Sequence, residues 1–397
     1  MNKTILNTKI QEFINSNLNF NIGDLLLQGT SFKGIETKTI IEQIEAKKKC
    51  KKKLSTWFST ENIYYPNKLN IEQTSSEITA KYKTELINGD SIIDLTGGFG
   101  VDCFYFSKRF KNITHCEINQ ELSKIVKHNY QQLNVTNILP IQKDGIAYLK
   151  NSTEIYDWIY IDPSRRHDSK GKVFFLNDCI PNVPEHLNLF FQHSKNMLIK
   201  TSPLLDFSVG IHELMHVKTI HVVAVNNEVK ELLWILEANF KGQIAIETVN
   251  IKKNTSDFFG FISDDENIVK YNYSQPLTYL YEPNSAILKA GAFNSISNKL
   301  KVFKLHKHSH LYTADVLIDF PGRKFKIEQQ LLYSKKAIKK LGLTKANITT
   351  RNFPETVHQI RKKFKINDGG EIYLFFTTNL KNEKIVILAF KMSSLSN

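Results

Sequence analysis

Cysteine is scarce in this chain of 397 residues, and its arrangement suits neither a metal site nor a disulfide framework. The four cysteines are scattered, with no CxxC pair and no Cys/His cluster at zinc spacing. The His-rich run HKHSH at 306–310 fits a solvated strand end better than a metal site. The composition therefore indicates neither a secreted disulfide scaffold nor a structural zinc, and it favours a reducing cytoplasm.

Long apolar stretches are missing as well. No segment approaches the roughly 18 uninterrupted apolar residues of a membrane helix. The first residues, MNKTILNTKIQEF, lack the apolar core of an export signal. A chain of this length usually forms more than one hydrophobic core. We therefore expect a cytoplasmic protein of two or three domains that neither enters a membrane nor is exported.

Arginine is rare among the basic residues and accounts for only six of the 53 Lys and Arg. Because Asp and Glu number only 39, the formal net charge is +14. Clustered cations bind polyanions by releasing counterions from phosphates, so this excess favours a nucleic-acid partner. The chain is also rich in Asn and Ile. An AT-rich coding bias raises the number of Lys residues together with Asn and Ile, and this bias is the alternative explanation of the positive charge.

The apolar spacing of the first 82 residues is helical, as in Ile40, Ile41 and Ile44. This spacing predicts a small helical region over residues 1–82. Its basic run KKKCKKK at 47–53 is interpreted as a solvated helix face in preference to a nucleic-acid contact.

A helix is predicted to begin at Thr74 and to lead into the next region. Thr74-x-x-Glu77 has the spacing of a capping box. The apolar residues Ile78, Tyr82 and Leu86 follow at intervals of four. We expect these three side chains to pack on the sheet that follows.

From Ser91 onward, short runs that are apolar throughout alternate with amphipathic helices, which indicates a parallel sheet covered on both faces. The runs are SIIDL, NITHCEI, ILPIQ, DWIYID, NMLIKTS and TIHVVAV. The next run, ELLWIL, follows after only NNEVK, too short for a crossover helix, and this predicts an antiparallel hairpin. A mostly parallel, Rossmann-like sheet with one antiparallel strand is typical of class I methyltransferases. Residues 253–397 lose the alternation and are expected to be α+β.

The segment SIIDLTGGFGVD at 91–102 carries the main functional signal. An acid ends an apolar strand, three glycines fall within four positions, and an amphipathic helix follows. Glycines let a ligand approach the backbone closely, and the helix N-terminus offers free amides. The pattern predicts a loop that holds the methionine end of S-adenosylmethionine, with the acid near its amino group. The expected contacts are Asp94, Thr96, Gly97, Gly98 and Gly100.

The next two predicted strands also end in acids. Glu117 is placed to accept hydrogen bonds from both ribose hydroxyls, with Ile118 against the adenine, and Asp144 to accept one from the adenine amino group. Acids at three successive strand ends are more specific than a glycine loop alone. The alternatives are a tight turn with solvated acids, or a nicotinamide cofactor. The G-x-G-x-x-G/A pattern of the latter would need Gly or Ala where the chain has Cys103.

The fourth strand, DWIYID, runs into the turn DPSRR at 162–166, where a substrate would meet the methyl group. This turn is similar to the D/N-P-P-aromatic signature of methyltransferases that act on planar amines. In that signature the acid and the turn carbonyls accept hydrogen bonds from the nitrogen. Because the sulfonium is already reactive, the enzyme must mainly align the nucleophile and take its proton, and Asp162 is the candidate for that role.

The turn departs from the signature at two positions, since Ser164 replaces the second proline and Arg165 replaces the aromatic residue. The adjacent Arg165 and Arg166 suit a bidentate phosphate clamp, and pairing with surface acids such as Asp168 is the alternative. The expected catalytic residues are Asp162, Pro163 and Arg165, and the expected substrate-binding residues are Ser164, Arg166 and Lys200.

Several segments together resemble a family of bacterial class I methyltransferases with a THUMP-like C-terminal domain. They are EQTSSEITAKYK, DLTGGFGVD, CEIN, IDPSRR, IKTSPLLD, NNEVKELL, YEPNSAILKAG and RNFPETVHQIRKKFKINDGGEIYLFFT. The resemblance implies a helical N-terminal region at 1–82, a class I methyltransferase domain at 83–252, a ferredoxin-like segment at 253–320 and a THUMP-like module at 321–397. The catalytic domain is more distantly similar to RNA guanine-N2 methyltransferases.

The combined prediction is an S-adenosylmethionine-dependent methyltransferase that acts on a base of structured RNA, either tRNA or rRNA. True THUMP domains help RNA-modifying enzymes to hold tRNA. The terminal residues Arg361, Lys362 and Lys363 suit phosphate contacts, although a helix C-terminus favours cations in any case. The alternatives are a methyltransferase of a protein or small molecule, and a non-catalytic RNA-binding protein. The sequence does not indicate an oligomeric state.

Overall fold

The computed structural model describes residues 1–165 and 175–392. The chain forms two compact units, the first made of Met1–Lys218 and Lys230–Lys241 and the second of Thr219–Val229 and Gly242–Asn397. No helix in these described ranges is both long and apolar enough to span a bilayer. The predicted fold class is confirmed, since helices come first, a mostly parallel sheet follows, and an α+β region ends the chain.

The N-terminal region of the first unit is helical, as predicted. Its helices are α1 (Thr8–Ser16), α2 (Ile22–Gln28), α3 (Thr37–Lys53), α4 (Ser55–Ser59), α5 (Lys68–Gln73) and α6 (Glu77–Leu86), after a 3-10 turn at Lys3–Leu6. Ile40 and Ile44 are fully buried and Ile41 nearly so, which confirms the helical spacing read from the sequence.

The helix α6 differs from its prediction in two respects. Thr74 ends α5, and the cap of α6 is Ser76, whose hydroxyl accepts a hydrogen bond from the Thr79 amide at 3.2 Å. The predicted apolar stripe is wrong, because Ile78 is 44% exposed while Lys83 is completely buried. The helix therefore packs through a largely polar face.

The strands of the α/β region follow the predicted apolar runs. They are β1 (Ser91–Asp94), β2 (Asn112–Cys116), β3 (Ile138–Ile141), β4 (Tyr156–Ile161), β5 (Ser164–Arg165), β6 (Cys179–Ile180), β7 (Ser194–Thr201), β8 (Val217–Val225) and β9 (Glu228–Glu237). Within the first unit the sheet order is β3-β2-β1-β4-β7-β9. All neighbouring pairs in this order are parallel except β7 and β9, which are antiparallel.

Helices follow most of these strands, as the alternating pattern predicted. They are α7 (Val101–Phe106), α8 (Gln120–Gln132), α9 (Gly145–Lys150), α10 (Val183–His193) and α11 (Phe207–Glu213). Only Asn226 and Asn227 separate β8 from β9, and their φ angles of +50° and +65° are those of a type I′ turn. This turn is the hairpin connection that the sequence predicted.

The second unit is α+β. In it β8 pairs in parallel with β10 (Ala245–Ile251), which pairs antiparallel with β11 (Ser256–Ile262). The later strands are β12 (Tyr279–Pro283), β13 (Phe303–Lys304), β14 (Tyr312–Ala314), β15 (Gly322–Leu332), β16 (Asn347–Thr350), β17 (Ile372–Thr378) and β18 (Lys384–Lys391). They form one sheet in the order β13-β14-β12-β15-β18-β17-β16. Its helices are α12 (Asp265–Ile268), α13 (Ser285–Ala290), α14 (Phe293–Leu300), α15 (Lys335–Lys340) and α16 (Val357–Phe364).

Candidate active site

The carboxyl ends of β1, β2 and β4 lie at one edge of the sheet, because these parallel strands are direct neighbours. Asp94 ends β1, Glu117 directly follows β2, and Asp162 directly follows β4. Two hydrogen bonds tie the loop after β1 to the other strand ends. The Gly98 amide donates to Glu117 Oε2 at 2.9 Å, and the Asp162 amide donates to Thr96 Oγ1 at 2.7 Å. The structure thus brings these five predicted residues together.

Two glycines allow the loop to pass close to its neighbours. A Cβ atom on Gly97 would lie 2.3 Å from His115 Nε2 and 2.8 Å from the Cys116 carbonyl oxygen. Gly100 has a φ of +76°, and a Cβ atom there would lie 2.2 Å from the Tyr130 hydroxyl. Glycine is therefore required at both positions by packing alone, and Gly100 also by its left-handed backbone.

Asp94 is buried, and its carboxylate is hydrogen-bonded inside the loop. Oδ1 accepts from the Thr96 amide at 2.8 Å and from the Thr96 hydroxyl at 3.2 Å, and Oδ2 accepts from the Cys103 thiol at 3.3 Å. Burial raises the pKa of Asp94 to about 7, although the Thr96 amide opposes the shift. A ligand ammonium group beside this carboxyl would favour its ionised form.

Replacing Asp94 with Asn is expected to stabilise the free protein at alkaline pH. When the pKa of a carboxyl group rises on folding, the folded protein becomes less stable as the pH increases from the ordinary pKa of 3.8 to about 7. Above pH 7 this loss of stability is complete. Urea unfolding at pH 8 should show the Asn variant to be more stable by on the order of 2 kcal/mol. The gain should nearly vanish at pH 4. An equal difference at both pH values would contradict the assigned ionisation.

Glu117 is buried beside an exposed apolar side chain. Its Oε1 accepts from the Asn119 amide at 2.6 Å and its Oε2 from the Gly98 amide, while burial raises its pKa. The next residue, Ile118, is 66% exposed. A buried carboxylate next to an uncovered apolar side chain matches what a ribose and a flat adenine ring need.

Asp144 lies three residues beyond the end of β3, and its side chain is exposed. It caps α9, because its Oδ1 accepts from the Ala147 amide at 2.8 Å. This contact gives Asp144 a structural role in the free protein. Its expected contact with an adenine amino group stays a prediction.

Asp162 forms an ion pair with Lys200, which lies at the end of the neighbouring strand β7. The Lys200 side chain is 12% exposed and that of Asp162 is 32% exposed, so both reach solvent. Burial alone would lower the pKa of Lys200, but the carboxylates of Asp162, Glu231 and Asp102 raise it above its usual range. Lys200 was predicted to bind the substrate, and the structure brings it to Asp162.

The turn that follows Asp162 is described only in part. Pro163 is buried, and the exposed Ser164 donates from Oγ to the Ile180 carbonyl at 3.4 Å. Arg165 belongs to β5 through its backbone, but its side chain lies outside the described part of the chain, as does all of Arg166. The phosphate contacts expected of the two arginines stay predictions.

A buried charged network that the sequence reasoning missed lies behind Asp162. Lys83 from α6 pairs with Glu231 of β9 at 2.7 Å and with Asp102 of α7 at 3.3 Å. Asp102 Oδ2 also accepts from the hydroxyls of Ser75 at 2.8 Å and of Tyr160 at 2.9 Å. Burial would raise the pKa of Asp102, but its cationic neighbours and these hydrogen bonds keep it below its ordinary value.

The sequence contained a signal for this network. Glu231 is a charged residue in the predicted apolar strand ELLWIL, and Lys83, Asp102 and Glu231 each lie in a segment that carries the family resemblance. Buried charges are rare unless they are paired, so the acid in this apolar strand indicates a cationic partner without identifying it.

Neither metal-binding side chains nor the basic run at 47–53 forms a further site within the described residues. No group of three His, Cys, Asp or Glu side chains suited to a metal occurs among the residues the structure describes. In the run, Lys47 is buried against aromatic rings, Lys49 pairs with Glu72, and Lys53 donates to the Ile71 carbonyl at 2.8 Å. Half of its lysines therefore have structural partners.

Comparison with known proteins identifies two domain families in the second unit and one similar protein along nearly the whole chain. A ferredoxin-like domain family matches residues 279–321, and a family described as THUMP domain-like matches residues 322–391. The chain is 31% identical to a protein of Porphyromonas gingivalis W83 that is provisionally named a methyltransferase. The crystal structure of that protein aligns over 98% of this chain and 99% of its own, with a TM-score of 0.89.

Two further likenesses cover only part of the chain. An uncharacterized RNA methyltransferase of Mycoplasma mobile is 23% identical over 150 residues, which are 35% of this chain and 41% of that protein. The chain thus spans about two fifths of that curated relative. A Streptococcus mutans protein crystallised with S-adenosylhomocysteine is 14% identical, over 41% of this chain and 96% of its own. Its TM-score of 0.30 is too low to support a conclusion.

Proposed function

Because this chain belongs to the methyltransferase family with a THUMP-like C-terminal domain, we propose that it transfers a methyl group from S-adenosylmethionine to RNA. The observation that carries the proposal is the convergence of Asp94, Glu117 and Asp162 at one sheet edge around a glycine loop. In open α/β sheets, ligands bind at this edge.

The residues present fit S-adenosylmethionine. Asp94 would face its ammonium group, Glu117 its ribose hydroxyls and Ile118 its adenine, with the loop amides near its carboxylate. When bound, the sulfonium supplies an electrophilic methyl group. The chain itself must orient the acceptor and take its proton, and Asp162 is the residue placed to do so.

The charge distribution supports RNA as the substrate. Residues 322–391, the THUMP-like match, contain 16 Lys and Arg but only five Asp and Glu, so they hold +11 of the chain's +14. Arg361 pairs with Asp368 and Lys363 with Glu355, while four lysines of α15 are exposed, namely Lys335, Lys336, Lys339 and Lys340. The Mycoplasma relative, named an RNA methyltransferase, points in the same direction.

A comparison of modified nucleosides tests the RNA proposal. RNA from cells with and without the gene is digested to nucleosides, and the tRNA and rRNA fractions are analysed separately by mass spectrometry. We expect one methylated nucleoside to disappear from one fraction and to return when the gene is restored, but not when the Asp162→Ala variant is supplied. An unchanged profile in both fractions would contradict an RNA substrate and would favour a protein or small molecule.

A further inference from the structure

The side chains around Asp162 bear on which atom of the substrate receives the methyl group. The DPSRR turn predicts a base amine, for which the ideal partner is a free carboxylate. In the structure one oxygen of Asp162 is already taken by the Lys200 ammonium group. The substrate group that accepts the methyl group therefore lies next to both a cation and an anion.

Asp162 and Lys200 are the most exposed charged side chains of this network, while Asp102, at 10%, is held by Lys83, Ser75 and Tyr160. The side chains of Asp162 and Lys200 are 32% and 12% exposed. Those of Lys83 and Glu231 are 0% and 3% exposed, and both are engaged with each other. A substrate thus contacts the Asp162–Lys200 pair, while the others act through it.

This pair matches the hydrogen-bonding capacity of a hydroxyl. A hydroxyl donates one hydrogen bond and accepts others, so that it satisfies the Asp162 carboxylate and the Lys200 ammonium together. The exocyclic amino group of a base only donates, so the ammonium would have to bind a different atom of the base and not the group that is methylated.

The charge that develops during transfer favours a hydroxyl as well. A nitrogen that attacks a methyl group becomes more positive, which a neighbouring ammonium opposes. A hydroxyl that gives up its proton becomes more negative, which the ammonium stabilises. Lys200 is kept in its charged form by three carboxylates, which raise its pKa against the effect of burial.

We infer that the acceptor is a hydroxyl and, in RNA, the 2′-oxygen of a ribose. This inference rests on the proposed function, since RNA carries that hydroxyl on every nucleotide. The hydroxyl oxygen attacks the methyl carbon, the O–C bond forms as the C–S bond breaks, and the electron pair of the C–S bond stays on sulfur. The hydroxyl proton passes to Asp162 and then to solvent, while Lys200 stabilises the charge on the oxygen.

Lys83, Asp102 and Glu231 are positioning residues in this account. Lys83 holds the two buried carboxylates in place, and their charges in turn favour the ammonium form of Lys200. Tyr160, which donates to Asp102, lies on β4 two residues before Asp162. It therefore connects the charged network to the strand that leads into Asp162. The network thus sets both the charge of Lys200 and the place of Asp162.

The position of the methyl group tests the inference directly. The purified full chain is incubated with methyl-labelled S-adenosylmethionine and RNA from cells that lack the gene. We expect mass spectrometry to locate the label on ribose, and the adjacent linkage to resist alkali, since alkaline cleavage needs a free 2′-hydroxyl. A label on a base would overturn this inference and leave the proposed function intact. Cofactor binding without any label in RNA would overturn both.

Variants separate the charge of Lys200 from the stability of the fold. Lys200→Met should lower kcat by about 10²-fold or more and leave the affinity for S-adenosylhomocysteine nearly unchanged. Lys195→Met, at an exposed position of the same strand, is the matched control and should behave as the wild type. Glu231→Gln should lower kcat without changing the KM for S-adenosylmethionine. Control-level kcat in Lys200→Met would overturn the role of the pair.

Discussion

Asp162→Ala is expected to lower methyl transfer by about 10³-fold or more while cofactor affinity stays nearly intact. The substitution removes the group that accepts the proton of the nucleophile, and it leaves Lys200 without its ion-pair partner at the reaction centre. Cofactor contacts are spared because they belong to Asp94, the glycine loop and Glu117. Asp162 reaches the loop mainly through its backbone amide, which donates to Thr96 and is retained in the variant.

The measurement combines single-turnover methyl transfer with calorimetry of S-adenosylhomocysteine binding. Asp90→Ala is the matched control, because Asp90 is an exposed acid immediately before β1, at the opposite end of the strand from Asp94. The control should keep both activity and binding. Normal turnover in Asp162→Ala would remove Asp162 from the mechanism, and a large loss of cofactor affinity would show that the side chain serves the cofactor site instead.

Lys83→Met is expected to lower the free energy of unfolding by about 3–5 kcal/mol. The Lys83 side chain is completely buried and pairs with Glu231 and Asp102, whose side chains are 3% and 10% exposed. Removing the cation leaves two carboxylates in a region where water cannot solvate them. Breaking a buried ion pair by deleting one partner is costly for this reason, even where the intact pair contributes little to stability.

Urea denaturation of folded wild type and variants measures this effect. Lys81→Met changes an exposed lysine on the same helix and should alter stability by less than about 0.5 kcal/mol. Adding Glu231→Gln to Lys83→Met should recover part of the loss, because one unpaired charge is removed. Equal stability of Lys83→Met and Lys81→Met would mean that the pairs seen in the structure do not form.

The sheet and the acids at its edge were predictable because the relevant patterns are local. A run that is apolar throughout, followed directly by an acid, marks both the strand and its carboxyl end, as for Asp94, Glu117 and Asp162. Parallel neighbours then place such acids together. Asp144 was harder, since an acid between a strand and a helix serves equally well as a ligand contact or as a helix cap, and the structure shows the cap.

The face of α6 was not predictable from apolar spacing. Their spacing predicted that Ile78, Tyr82 and Leu86 would pack on the sheet. The buried residues of the helix are instead Thr79, Ala80, Lys83 and Thr84. A helix that packs through paired charges shows no apolar stripe on that face. The partner Glu231 lies 148 residues away along the chain, so no local pattern connects it to Lys83.

The N-cap residue of α6 was also not predictable from the local sequence pattern. Thr74 and Ser76 are both good N-cap residues, and Glu77 at the right distance favoured the first of them. In the structure Glu77 accepts instead from the Thr56 amide at 2.6 Å and the Ser55 hydroxyl at 3.0 Å. A tertiary contact thus uses the side chain on which the local prediction depended.

The proposed function depends on the binding of one S-adenosyl nucleotide at the carboxyl edge of the first sheet. Calorimetric titration of the full chain with S-adenosylhomocysteine tests it most directly. We predict one molecule bound per chain, with affinity lower by about tenfold to a hundredfold in Glu117→Ala because charge-assisted hydrogen bonds to the ribose are lost. No binding to the wild type, or equal binding to both proteins, would contradict the account.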